Sequence, residues 1–75
     1  MPYLPYRTGR LSRAVPTAVR PAAAGEVALP TKTVGLAAGA DVMVSQRMLI
    51  NAGEYLELAD PTNAGWWVPA NAVLF

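Results

Sequence analysis

Five of the chain's seven prolines, Pro2, Pro5, Pro16, Pro21 and Pro30, fall within its first 30 residues. Each proline fixes φ near about −65° and removes a backbone donor, so neither a long helix nor a central strand is open to that stretch. The same residues hold four of the six basic side chains, Arg7, Arg10, Arg13 and Arg20, against one acid, Glu26, a net charge of +3. An extended, partly polyproline-like arm over residues 1–30 is expected, with room for a short helical turn around Arg10 to Val15. An arm of this kind builds no core of its own. Two destinations are open to it: a strap laid across neighbouring subunits, or a return onto its own domain. The strap is the expected one.

The rest of the composition points the same way. Charged residues make up 15% of the 75, hydrophobic residues 53%, and the net charge is +1. Soluble domains carry about 25% charged residues, so much of this surface is expected to be covered by other subunits. Cys and His are absent, which removes disulfides, Cys or His metal sites, thiol nucleophiles and His acid–base chemistry. No run of 18 apolar residues occurs, so no membrane span is expected. The prolines oppose the amphipathic helix of a transit peptide, no secretory signal core follows the N-terminus, and Met1 is expected to be retained.

Residues 31–75 carry strand patterns. Val42 to Ile50, VMVSQRMLI, nearly alternates and is rich in β-formers. Alternation puts Val42, Val44, Gln46, Met48 and Ile50 on one face. Asn51-Ala52-Gly53 suits a three-residue hairpin loop with Gly53 left-handed, leading into Glu54 to Ala59. Asp60 and Pro61 suit a type I turn that Gly65 leaves. A last strand, WWVPANAVLF, is broken or bulged by Pro69, and a shorter one, KTVGLA, precedes Gly39. The expected fold is mostly β: a small antiparallel sheet, barrel-like or sandwich, of four or five strands with a long extended N-terminal arm. So small a body is marginal alone. It carries Lys32 and Arg47 against Asp41, Glu54, Glu57 and Asp60, a net −2. Arm and body are thus complementary between copies.

No catalytic constellation is visible, and a non-enzyme without cofactor or metal is expected. Ser12 and Ser45 have no base near them in sequence. Glu54 and Glu57, three apart on a strand, face opposite sides. Gly35 and Gly39 mark turns rather than a phosphate loop, and Asp60 with Asn63 is too thin a ligand set for Ca²⁺. Arg7, Arg10 and Arg13 recur every three residues after Tyr3 and Tyr6, which lines one edge of a three-residue-per-turn helix. That edge suits phosphate and stacking contacts. The isoelectric point near 8.2 falls short of the range above about 9 usual for nucleic-acid domains. Protein docking through Tyr3, Tyr6, Arg7, Arg10, Arg13 and Arg20 is therefore expected ahead of nucleic acid. In the body, Tyr55, Trp66 and Trp67 are the candidate interaction residues. Trp66 is expected inward with Val68, and Trp67 outward as an interface anchor.

Two resemblances follow from these residues. Trp66 and Trp67, then Pro69-Ala70-Asn71-Ala72-Val73, resemble the tryptophan pair and P-x-N-aromatic-V segment of Src-homology-three small barrels. That family grips proline-rich peptides. Here Val68 alone separates the tryptophans from Pro69, where the family has a hairpin, and Ala72 stands at the aromatic position. The stretch from Ala28 to Gly65, with Ile50, Ala52, Gly53, Glu54 and Leu56 at its hairpin, resembles small β domains of virion proteins of tailed bacteriophages. This second resemblance implies a structural subunit: a capsid cement or decoration protein, or a head–tail or tail component. Its arm would lace together major capsid protein and copies of itself in the virion. The alternatives are a small barrel adaptor for extended or proline-rich peptides, and a subunit of a cytoplasmic, ribosomal or membrane-bioenergetic complex.

Overall fold

The structure, a computed structural model, describes residues 2–75, the side chain of residue 4 excepted. Seven strands form it: β1 (Pro2–Leu11), β2 (Val15–Val19), β3 (Thr31–Leu36), β4 (Asp41–Ile50), β5 (Gly53–Leu58), β6 (Trp67–Pro69) and β7 (Val73–Leu74). A single 3-10 turn, Ala70–Ala72, joins β6 to β7. All strands pair antiparallel in one sheet, in the order β3-β2-β6-β5-β4-β1-β7.

The mostly-β antiparallel expectation holds, but the arm does not exist as one. Residues 1–30 supply two of the seven strands, which is why the count exceeds four or five. β1 lies between β4 and β7, and β2 between β3 and β6. No helical turn forms at Arg10 to Val15, since Arg10 and Leu11 belong to β1 and Val15 to β2. The prolines are accommodated rather than evaded. The β1–β4 ladder shifts register between Pro2 and Arg7 and is regular only from Arg7 to Arg10, so Pro5 falls inside the irregularity. A second shift, between Val15 and Thr17, falls on Pro16. Pro21 and Pro30 stand outside the strands, on the β2–β3 connection. A bulge or strand end needs no donor, and those are the places proline tolerates in a sheet.

Burial confirms that the first segment is structural. The contiguous core contains Leu11, Val15 and Ala18 beside Val42, Val44, Leu56, Leu58, Val68, Ala72 and Val73, and Tyr3 packs against it. The accessible surface is 4607 Å², close to the roughly 4400 Å² of a compact monomer of this mass. The radius of gyration is 11.7 Å, against about 11 Å for a folded chain and about 27 Å for an unfolded one of this length. A strap reaching to neighbours would raise both quantities.

Two local devices shape the sheet. Gly9 on β1 is buried against β7. A Cβ there would lie 2.5 Å from Val73 Cγ1 and 3.1 Å from the Leu74 carbonyl oxygen, so glycine is what lets the strands close up. In β4 the register slips between Val44 and Gln46. Val44 pairs with Leu58 and Arg47 with Leu56, both core-facing. The face shared with the main core thus passes from even to odd residues at Ser45, although Arg47 and Leu49 on it are exposed, and only Val42 and Val44 keep the face that unbroken alternation gives them.

Candidate protein-docking site

The β2–β3 connection, residues 20–30, is polar at its base and apolar at its tip. The Glu26 carboxylate accepts the Ala23 N–H at 2.7 Å and an Arg20 N–H at 3.2 Å, while Glu26 N–H donates to the Ala23 carbonyl at 3.0 Å. Arg20 also donates to the Pro21 carbonyl, and its backbone N–H to Pro30. Gly25, at φ +90°, completes the tight turn. This bracing holds Val27 fully out in solvent, at 104% relative exposure. Alanine and valine gain nothing there from the fold itself.

Opposite it stands the β4–β5 turn. Ile50 pairs with Gly53, so the loop has two residues, Asn51 and Ala52, with φ +49° and +66°. Both central residues are left-handed, as a type I′ turn requires. The expected three-residue loop with a left-handed Gly53 is therefore corrected: the left-handed load falls on Asn51 and Ala52, and Gly53 begins β5. The sharp reversal leaves Leu49 67% and Met48 42% exposed, while Ile50 is buried.

Between these loops lies an open cleft of about 420 Å³, walled by Pro21, Ala22 and Glu26 to Leu29 on one side and Met48 to Asn51 on the other. Apart from Glu26 and Asn51 every lining side chain is apolar. A second hollow of about 400 Å³ is lined by Arg47, Glu54, Ala70 and Asn71. Arg47 and Glu54 form an ion pair across the β4–β5 hairpin. The carboxylate, through its hydrogen bond first and its charge second, holds the Arg47 guanidinium more firmly protonated.

No family model, curated protein or solved structure matches the chain.

The arginines expected to line one edge are dispersed. A strand has period two, so Arg7 and Arg10 face opposite sides. The Arg7 guanidinium lies over the Phe75 ring at 4.0 Å and the Tyr3 ring at 5.4 Å, with Tyr3 and Phe75 edge-to-face at 6.0 Å. Arg10 lies 3.8 Å from Asp41. Arg13 donates to Asn71 Oδ1 at 2.7 Å. Arg20 binds Glu26 and stands 5.9 Å from the Trp66 ring centroid. Of the six residues expected on an arm, Tyr6 alone points a largely free aromatic ring outward, at 54% exposure. The complementarity expected between copies is used within one chain, by Arg10 of the first segment and Asp41 of the body.

The tryptophans divide as to face but not as to exposure. Trp66 packs against the main core, the side Val68 occupies, and is half-buried. Trp67 lies on the other side, paired across the sheet with Glu57 and Val19. It was expected outward and exposed, yet it is 4% exposed. A strand that sequence reading did not supply, β2, pairs beside it through Val19. Trp67 and Ile50 are buried outside the main core. Tyr55, opposite Met48 and Pro69, is half-buried. Tyr55, Trp66 and Trp67 are thus not brought together as an exposed aromatic groove.

The cleft residues were missed. Their signal was present in AAAGEVALP, an apolar stretch that bears no strand period, and in Leu49, which follows a run whose inward places were already filled.

Proposed function

We propose that this chain is a non-catalytic binding module that takes an extended, apolar or proline-rich peptide in the cleft between the β2–β3 connection and the β4–β5 turn. One observation carries the reading: a braced loop and a tight hairpin hold Val27, Met48 and Leu49 in solvent around a cleft of about 420 Å³ whose lining side chains are mostly apolar. Such side chains are costly to leave bare and are the usual anchors of protein docking.

The segment that resembles small barrels lies elsewhere on the sheet. Pro69-Ala70-Asn71-Ala72-Val73 runs as strand, 3-10 turn and strand, and Asn71 is held by Arg13 beside the second hollow. None of these five residues lines the cleft, and Ala72, at the family's aromatic position, is buried. The affinity expected of so open a cleft is weak.

A subunit of a larger assembly, a virion component among them, is the second reading. It is favoured by Tyr6, Met43, Leu74 and Phe75, all exposed well away from the cleft. The lacing arm that first suggested it is absent, so this reading now rests on docked faces.

An amide-resolved NMR titration with a panel of proline-rich and aliphatic extended peptides tests the first reading. Shifts are expected at Ala22, Val27 to Leu29 and Met48 to Asn51, and Leu49→Lys should abolish them. Peptides that leave these amides unmoved at millimolar concentration would rule the cleft out.

A further inference from the structure

The outward face of β7, β1 and β4 carries a charge pattern that complements itself. Arg10 on β1 stands directly across from Asp41 on β4, and the two side chains are 70% and 72% exposed. Leu74 on β7 flanks Arg10. In the next outward row Thr8 stands across from Met43. Leu74 is 59% and Met43 40% exposed. A groove of about 380 Å³ runs along Thr8, Arg10, Asp41, Leu74 and Phe75. This face lies at the Asp41 end of β4, whereas the cleft lies at its Ile50 end, so the two surfaces are independent.

We propose that a second copy of this chain docks on this face, about a two-fold axis that runs parallel to the strands between β1 and β4. That rotation exchanges the two sides of the strand pair. Arg10 of each copy then faces Asp41 of the other, and the two intrachain pairs close into a ring of alternating charge. Thr8 of each copy faces Met43 of the other, which sets a flexible thioether at the wall of the groove. Strand directions stay aligned, as they do in face-packed sheets.

The charges select this occupant. A surface with one positive and one negative group side by side, flanked by Leu74 and Met43, is best matched by itself rotated. A two-fold axis perpendicular to the strands would instead set Arg10 on Arg10 and Asp41 on Asp41. An isolated exposed ion pair contributes little. In the ring each charge gains a second opposite neighbour, and Met43 and Leu74 screen it from water.

Sedimentation velocity on the full chain at high micromolar concentration tests the proposal. The unaltered chain is expected to dimerise, and less so as salt rises. Arg10→Asp alone gives a face with two acids, and Asp41→Arg alone a face with two bases; each is expected to be monomeric. An equimolar mixture of these two variants is expected to regain the dimer, because every facing pair is then opposite in charge. Circular dichroism checks that both remain folded, and Leu74→Glu, expected to abolish the dimer too, serves if either does not. A monomeric unaltered chain, single variants that dimerise like it, or a mixture of folded variants that stays monomeric would each overturn the interface.

Discussion

Trp67 faces away from Val68 and is paired with Glu57 on β5 and Val19 on β2, yet it is 4% exposed. Val19 of β2, from the first segment of the chain, stands beside it in the sheet. Truncation should therefore cost what a core aromatic costs, about 3–5 kcal/mol for Trp67→Ala. Trp66→Ala removes a half-buried ring and is expected to cost clearly less. Urea unfolding of both variants checks the order; equal losses would place Trp66 as deeply as Trp67.

Gly9 offers a second test of the same closure. Its Cβ would meet Val73 Cγ1 at 2.5 Å and a β7 carbonyl oxygen at 3.1 Å. Gly9→Ala is expected to destabilise by about 1–3 kcal/mol, as overpacking does. The loss is read as a drop in Tm, about 4–8 °C per kcal/mol in a domain of this size.

Ala52 sits at φ +66° in the β4–β5 turn. A left-handed L-residue costs roughly 1–2 kcal/mol, which glycine avoids at an entropic cost of about 0.5–1 kcal/mol. Ala52→Gly is expected to raise stability by about 0.5–1 kcal/mol, measured by the same denaturation. A loss of stability would show that the methyl group makes a contact worth more than the strain.

These positions also show what the sequence could and could not reveal. The Asp60-Pro61 turn was legible: Asn63 N–H donates to the Asp60 carbonyl at 3.0 Å, and Gly65 leaves at φ +86°. The strand character of Val42 to Ile50 and Glu54 to Leu58 was legible from composition. The bulge at Ser45 was not, because a shift of one residue leaves no mark in a half-apolar pattern, and it moved Ile50 and Arg47 to the other faces. The prolines oppose a central strand in the sequence. They bar only regular ladders, and both of the strands concerned place them at register shifts. Which arginine meets which partner depends on contacts between residues far apart in the chain, such as Arg13 with Asn71, and no local spacing encodes those. The cleft has the same origin, since its two walls come from residues 21–29 and 48–51.

The first segment gives the sharpest prediction. Were residues 1–13 a strap, removing them would leave a folded body with altered assembly. In this structure Pro2–Leu11 among them form β1, bonded to β4 on one side and β7 on the other. Their loss takes Leu11 from the core and strips Ser12, whose N–H donates to the Ala72 carbonyl at 2.8 Å. It leaves β7, two residues long, with no partner and exposes the edge of β4. Backbone groups that lose a buried partner cost about 1–3 kcal/mol each, against a total stability that in small domains is only about 5–15 kcal/mol. The chain lacking residues 1–13 is expected to be unfolded, with collapsed amide dispersion in its NMR spectrum. A dispersed, cooperative spectrum from that shortened chain would return the segment to the role of an arm.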